Sequence, residues 1–154
     1  MRMVSSSVSP LVADEFSLAF SVLIKEAPNR TAAAELALEE IEAGYKQSCW
    51  MWYIFPQHKN LGYSDISKFY GINDLNEANA YLCHPILGMR LRQITSELIK
   101  HQDKSIENIL GYVDALKLKS SMTLFDFISP NDIFNTVLDI FYNGERDSLT
   151  LSYI

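Results

Sequence analysis

The sequence has little of what disulfide-rich domains, membrane proteins and nucleic-acid-binding proteins require. Its 154 residues include only two cysteines, too few for a disulfide framework. No apolar stretch reads as a membrane span of about 20 residues, and the N-terminus lacks the apolar core and cleavage pattern of a signal peptide. The net charge of −6 argues against general affinity for nucleic acid or anionic membrane. We therefore expect a cytoplasmic protein with no nucleic-acid or membrane partner.

Familiar catalytic and metal-binding motifs are also missing from the chain. There is no Gly-x-Ser-x-Gly elbow, phosphate-binding glycine loop or dinucleotide-binding glycine fingerprint. Cys49, Cys83 and His84 lack zinc-site spacing, so we expect reduced thiols in apolar surroundings, no metal and no cofactor. Two nucleophile pairs are conceivable, Ser121 with Lys117 and Cys49 with His84, but neither spacing is diagnostic. Whether the protein is an enzyme stays undecided at this point.

Apolar residues, at 48% of the chain, recur mainly with helical spacing, and no run alternates as a strand would. We predict an all-α protein, a single compact domain of six to eight short helices over residues 13–154. A frayed segment, 1–12, precedes it, and the first short helix is expected near 14–24. Trp50–Phe55 is the stretch for which an extended conformation remains an alternative.

Polar residues at helix ends and apolar residues at helical spacing predict the boundaries and the core. The expected N-caps are Thr31, Ser64, Asp74 (with Glu77 in a capping box), Ser105, Asp114 and Asn131. In the helix expected near 31–44, Ala34, Leu38, Ile41 and Tyr45 would face inward, and Glu35, Glu39 and Glu42 would face solvent. The residues expected to be mostly buried are Leu38, Ile41, Leu87, Leu91, Ile94, Leu118, Met122, Phe125, Phe134 and Phe141.

The densest feature is the aromatic run Cys49–Gln57, which contains both tryptophans of the chain. Each large ring buries about 150–250 Å², so other elements must close over this run. We expect it to be a core segment. The alternative is that one face lines a pocket, with Gln57 and His58 at its mouth.

Three motifs in order resemble the domain-of-unknown-function family numbered 1810. They are Trp-Met-Trp-Tyr-Ile-Phe-Pro-Gln at 50–57, Tyr-Leu-Cys-His-Pro-Ile-Leu-Gly-Met-Arg-Leu at 81–91, and Asp-Ala-Leu-Lys-Leu-Lys-Ser-Ser-Met-Thr-Leu-Phe at 114–125. We call them the first, second and third signatures. The likeness runs from about residue 33 to the C-terminus and implies a mainly α-helical fold, without implying an activity. Cys49 stands where the family commonly has histidine, so no role of that imidazole carries over.

The third signature crowds cationic and hydroxyl groups onto one helix. Lys117 and Ser121 are one turn apart, so a lysine can neutralise an anion to which a hydroxyl donates a hydrogen bond. In the second signature, His84 is expected to begin a helix, whose free N–H groups favour a phosphate or carboxylate, and Arg90 would add a forked contact. The alternative is that the lysines are solvated, the hydroxyls bond to carbonyls of the preceding turn, His84 only caps its helix and Arg90 pairs with an acid.

These motifs lead to two hypotheses about function. The preferred one is binding of a small anionic ligand, phosphate- or nucleotide-like, in an aromatic-walled pocket, with or without enzymatic activity. The alternative is a non-enzymatic adaptor that binds another protein, and the oligomeric state is not predicted. The candidate ligand-binding residues are Trp50, Trp52, Gln57, His84, Arg90, Lys117, Lys119, Ser120, Ser121 and Thr123.

Overall fold

A computed structural model describes residues 29–154, which contain nine α-helices, one 3₁₀ turn and no strand. The helices are α1 Asn29–Glu42, α2 Met51–Ile54, α3 Asp65–Tyr70, α4 Leu75–Cys83, α5 Leu87–Ile99, α6 Ile106–Leu110, α7 Tyr112–Ile128, α8 Ile133–Tyr142 and α9 Ser148–Ser152. The 3₁₀ turn, Lys59–Leu61, lies between α2 and α3. The all-α prediction is confirmed. The expected helix near 14–24 and the frayed segment 1–12 lie outside the described residues.

The helix count exceeds the predicted six to eight because several helices are only about one turn long. α2 has four residues, and α6 and α9 have five each, lengths at which apolar periodicity is hard to recognise. The extended alternative for Trp50–Phe55 is wrong, since the amide of Phe55 donates to the carbonyl of Met51 at 3.0 Å. None of the described helices is long and apolar enough to cross a membrane.

The core lies around α7 and α5. α7 packs against α4, α6, α8 and α9, and α5 packs against α1, α4 and α8. Eight of the ten residues predicted to be mostly buried are so, while Leu38 and Phe141 are partly buried against the edge of the core. Tyr45 was wrongly placed inward. α1 ends at Glu42 and Gly44 turns the chain at a φ of +84°, so Tyr45 leaves the helical periodicity and is 58% exposed.

Three of the predicted N-caps are confirmed. The Ser64 hydroxyl accepts from the amide of Ser67 at 3.1 Å, and Ser105 caps α6 in the same way. Asp74 accepts from the amide of Glu77 at 2.8 Å. The capping box is modified, because the Glu77 carboxylate returns to the amide of Asn73, one residue before the cap. Local side-chain chemistry therefore predicted these helix starts well.

Three predicted N-caps are wrong. Thr31 lies within α1, which covers Asn29–Glu42. α7 begins at Tyr112, before Asp114, because Gly111 adopts a φ of +88° that lets the chain enter the helix directly from α6. At α8 the cap is Asp132, whose carboxylate accepts from the amide of Ile133 at 2.6 Å. Asn131 instead supplies a left-handed turn residue with a φ of +62°. Each error moves a helix start by one to three residues.

The glycine of the second signature allows α4 and α5 to approach closely. A Cβ atom at Gly88 would lie 2.0 Å from the carbonyl oxygen of Leu82, which is far inside van der Waals contact. The absence of a side chain at this position therefore fixes where α5, and with it Arg90, sits relative to α4.

Candidate functional site

The aromatic run is divided between core and surface. Trp50 is 1% exposed, and its indole nitrogen donates to Glu40 Oε1 at 2.9 Å. The core interpretation therefore holds for Trp50, which is too deeply buried to be the ligand-stacking wall we expected. Trp52 is only half-buried.

Glu40, which the sequence analysis did not single out, accepts four hydrogen bonds through its carboxylate. Besides the indole of Trp50, its carboxylate accepts from the amides of Gln47 and Ser48, at 2.7 and 3.0 Å, and from the Ser48 hydroxyl at 2.6 Å. Burial alone would raise the pKa of this carboxyl. The hydrogen bonds from Ser48, Gln47 and Trp50 together outweigh burial and lower the pKa to about 2. Glu40 thus stays ionised and holds the loop between α1 and α2 against the core.

Position within α1 is the signal that distinguishes Glu40 from its neighbours. Glu40 is adjacent to Ile41 and three residues after Ala37, so it borders the buried stripe of the helix. Glu39 and Glu42 are exposed, as predicted.

A cavity of about 150 Å³ lies between α1, α2, α4 and α5. Most of its lining is aliphatic or aromatic. Polar groups come from Glu35 of α1 and from Arg90 and Gln93 of α5. The cavity joins the first signature, through Tyr53 and Ile54, to the second. The full lining is Ala34, Glu35, Leu38, Tyr53, Ile54, Tyr81, Leu87, Met89, Arg90, Leu91, Gln93 and Ile94.

A second, much smaller crevice brings together Trp52, Gln57 and Lys117, three of the predicted site residues. Its volume is about 10 Å³, and Met51, Phe55 and Ser67 complete its lining. The indole nitrogen of Trp52 is buried and has no acceptor among the described residues. The Lys117 ammonium lies 3.7 Å from a carboxylate oxygen of Asp114. Arg90 and Lys117, which we expected in one pocket, therefore line two different cavities.

The remaining cation and two hydroxyls of the third signature contact the C-terminal segment. Lys119 pairs with Glu145. Ser120 Oγ lies 3.3 Å from a carboxylate oxygen of Asp147, and Thr123 Oγ1 accepts from the amide of Asp147 at 2.9 Å. Both hydroxyls also donate to backbone carbonyls four residues earlier, as the alternative interpretation proposed.

Asp147 in turn caps α9, because its carboxylate accepts from the amide of Thr150 at 2.9 Å. Arg146 reinforces the attachment through an ion pair of 3.0 Å with Asp126 of α7. We call residues 145–150, held in this way on α7, the C-terminal anchor. The sequence analysis did not identify it, since the contacts with α7 join residues 20 or more positions apart.

Neither conceivable nucleophile pair is assembled. Ser121 is fully buried and its hydroxyl has no hydrogen-bond partner among the described residues, so Lys117 does not activate it. Cys49 and Cys83 are free and exposed, which corrects the expectation of apolar surroundings. His84 Nδ1 accepts from backbone amides of α5 and its N-cap, not from Cys49. Within residues 29–154, no group of three potential ligands among His, Cys, Asp and Glu is placed to hold a metal ion.

Both histidines singled out from the sequence cap the backbone. His84 Nδ1 accepts from the amides of Ile86 and Leu87 at 3.2 Å each, so it closes the start of α5. His58 was expected at a pocket mouth but is 4% exposed, and its ring stacks on Tyr153 with centroids 5.1 Å apart. Burial lowers the pKa of His58 below the usual histidine value. Its neutral ring serves to pack the C-terminal end of the chain.

Comparison with known proteins places this architecture in a family. The fold matches the crystal structure of the conserved hypothetical protein Rv1873 from Mycobacterium tuberculosis, with 39% sequence identity and a TM-score of 0.79 over 88% of this chain and 95% of that one. No curated protein matches the chain significantly. The model of the family described as "Protein of unknown function (DUF1810)" matches residues 25–154. Because this match covers most of its length, the chain belongs to the DUF1810 family.

Proposed function

We propose that this protein binds a small anionic ligand in the cavity between α1 and α5, with Arg90 as the ionic partner. The observation that carries the proposal is the cavity itself. It is a space of about 150 Å³ with mostly apolar walls, and its charged residues are Arg90 and Glu35. An apolar cavity of this size accommodates a molecule about as large as benzene.

The walls favour a ligand with a compact ring or branched chain next to its anionic group. Tyr53 and Tyr81 supply aromatic surface, and the ring of Tyr81 is fixed by packing on Phe125 with centroids 5.7 Å apart. The planar fork of Arg90 suits two oxygens of a carboxylate or phosphate, and Gln93 adds a neutral donor and acceptor. A whole nucleotide exceeds the cavity, so a nucleotide would place only its base inside and its phosphates outside.

Binding, rather than catalysis, is the activity proposed. The two conceivable nucleophiles are not activated, since Ser121 has no partner among the described residues and His84 is engaged in capping α5. A cytoplasmic location is part of the proposal, because two exposed free thiols are best kept reduced there. Nucleic acid is not proposed as a partner, given the net charge of −6.

The second candidate is the adaptor function, which one specific surface favours. Tyr63, Ile66 and Phe69 lie in and just before α3 and are 98%, 53% and 57% exposed. Exposed apolar groups that cluster on one short element are typical of protein-binding surfaces. Replacing Ile66 and Phe69 by serine would abolish such an interaction and leave ligand binding in the cavity unchanged.

The test is a ligand screen followed by calorimetric titration. Aromatic and branched carboxylates, phosphate esters and nucleotides are screened by the thermal shift of the wild-type protein. We expect Arg90→Ala to weaken the selected ligand by about 1.5–3 kcal/mol, the cost of losing a charge-assisted hydrogen bond. The matched control is Arg92→Ala on the same helix, whose guanidinium pairs with Asp132 at 2.9 Å and does not line the cavity.

A cavity-filling variant tests the contribution of the cavity to binding separately from that of the Arg90 charge. Ala34 lines the cavity from α1, so Ala34→Phe should occupy the space and block binding while Arg90 remains present. Ligand binding that survives both Arg90→Ala and Ala34→Phe would contradict the proposed function.

A further inference from the structure

We propose that the cavity between α1 and α5 is the docking site for a segment of the same chain, residues 14–24, and that the ring of Phe20 enters it. This segment precedes the described residues, and its sequence predicts a short helix with an apolar stripe. The docking needs no ligand. Its consequence for ligand binding rests on the proposed function, because the segment and the ligand would compete for the same space.

The segment needs a surface on which to fold. Its apolar positions recur at helical spacing and form one stripe, which consists of Phe16, Phe20, Leu23 and Ile24. Isolated helices of fewer than about 12–15 residues are marginal in water, and this segment has only 11. It therefore forms a stable helix only when its stripe packs against an apolar surface.

The cavity offers such a surface, and its size matches one phenyl ring. Its volume is about 150 Å³, and an apolar protein cavity of about this size takes up benzene. Its lining includes Ala34 and Leu38 of α1 and Met89 of α5. Met89 is 55% exposed, so apolar surface continues from the cavity to the outside of the described residues. A helix with an apolar stripe can thus insert one ring and pack its other apolar residues at the rim.

The connection to α1 places the segment next to this cavity. Four residues, 25–28, separate Ile24 from Asn29, where α1 begins. Pro28 disrupts a continuous helix through this connection, so we expect the chain to change direction there. Helices joined by so short a connection lie antiparallel and in contact. The segment is therefore expected to run beside α1.

The spacing along the two helices brings the phenyl rings level with the cavity. At about 1.5 Å per residue, Phe20 lies about 6 Å from the end of the segment nearest α1, and Ala34 lies about 7.5 Å from the first residue of α1. The corresponding distances are about 12 Å for Phe16 and about 13.5 Å for Leu38. In an antiparallel pair, Phe20 is therefore opposite Ala34, and Phe16 is opposite Leu38. Both α1 residues line the cavity.

The direct test measures contact between the segment and the cavity in the full chain. Methionine methyl groups are labelled with ¹³C, and Met89→Leu identifies the Met89 signal by its loss. We expect nuclear Overhauser cross-peaks between the Met89 methyl group and the Phe20 ring. They should be lost in Phe20→Leu and kept in the matched control Phe127→Leu, because Phe127 is exposed on α7 and does not line the cavity.

Benzene tests the same space without a charge. Removal of the ring in Phe20→Ala should empty the cavity, so this variant should bind benzene at least about tenfold more tightly than the wild-type chain does. Adding Ala34→Phe, whose ring fills the cavity from α1, should remove the gain. Titration with benzene, followed by NMR, measures both effects. Because benzene is neutral, the result does not depend on whether Arg90 holds an anion.

A Met89 methyl group without a cross-peak to Phe20 overturns the proposal, as does a wild-type chain that binds benzene as tightly as Phe20→Ala. If Phe20→Ala does not fold, the cross-peaks of the wild-type chain decide alone. Where the proposed function also holds, Phe20→Ala should bind the selected anionic ligand at least about fivefold more tightly than the wild type. Equal affinity of these two chains would contradict the competition, whereas unchanged affinity in Arg90→Ala would contradict the proposed function alone.

Discussion

Arg90 and Lys119 are both basic residues of family signatures, yet their surroundings differ. Arg90 lines a largely apolar cavity together with Glu35 and two tyrosines, and Lys119 contacts Glu145 of the C-terminal anchor, which covers it. The hydroxyls near Lys119 are likewise bonded within the protein. A cluster of polar residues in a motif can therefore have either of two roles. We propose that it marks a binding site where a cavity adjoins it, and it marks an internal joint where another segment covers it.

This comparison separates two kinds of substitution. Changes at internal joints should lower stability without affecting binding. Changes at the cavity should affect binding and leave stability nearly unchanged. Variants of the two kinds should therefore differ in whether they change stability or ligand binding.

The two tryptophans provide the sharpest contrast in stability. Trp50→Ala should destabilise the protein by about 3–5 kcal/mol, because it empties a fully buried site in the core. Trp52→Ala should cost less, since the Trp52 ring is only half-buried. Denaturant unfolding followed by circular dichroism measures both values. Equal losses would show that the two rings are not divided between core and surface.

Glu40→Gln tests the hydrogen-bonded contact between α1 and the loop that follows it, which the sequence analysis did not predict. We expect a loss of about 1–3 kcal/mol, because the amide cannot serve all of the donors that the carboxylate accepts. The pKa of Glu40 is depressed from 4.5 to about 2 in the folded protein. Its stabilisation is therefore present above about pH 4.5 and is lost as the pH falls towards 2.

Unfolding measured between pH 6 and pH 2 should show this acid-sensitive contribution in the wild type and its reduction in Glu40→Gln. Parallel pH profiles of the two proteins would contradict the assigned role of the carboxylate.

Asp147→Ala tests the C-terminal anchor. Removing this helix cap should cost about 0.5–2 kcal/mol, with the additional loss of the carboxylate contacts of the Ser120 and Thr150 hydroxyls. Hydrogen exchange should accelerate at α9 before it does at α5. Ligand affinity in the Arg90 cavity should be unchanged, and a parallel loss of affinity would mean that the two regions are coupled.

Sequence reasoning succeeded where a structural feature depends on neighbouring residues. Ser64, Asp74 and Ser105 cap helices as predicted, and the apolar periodicity of α5 identified Leu87, Leu91 and Ile94 as core. These features follow from the contacts of one helical turn, which are encoded within three or four residues.

Sequence reasoning failed where the contacting residue is distant in the chain. In the sequence, Glu40 is one glutamate among several. Its role depends on the loop at Gln47 and Ser48, whose amides donate to its carboxylate. The C-terminal anchor joins α7 to residues 20 or more positions later. Which signature residues face the same cavity depends on the packing of α1 against α5, and helical periodicity alone does not determine that packing.

The most direct test of the central claim is titration of one ligand into two variants side by side. The ligand is the strongest binder from the screen, and the variants are Arg90→Ala and Lys119→Ala, each verified by its thermal melt. The account predicts that Arg90→Ala weakens binding by about 1.5–3 kcal/mol. Lys119→Ala should leave binding unchanged and cost about 0–1 kcal/mol of stability through its lost ion pair. Equal affinity of the two variants for the ligand would contradict the division between binding site and internal joint.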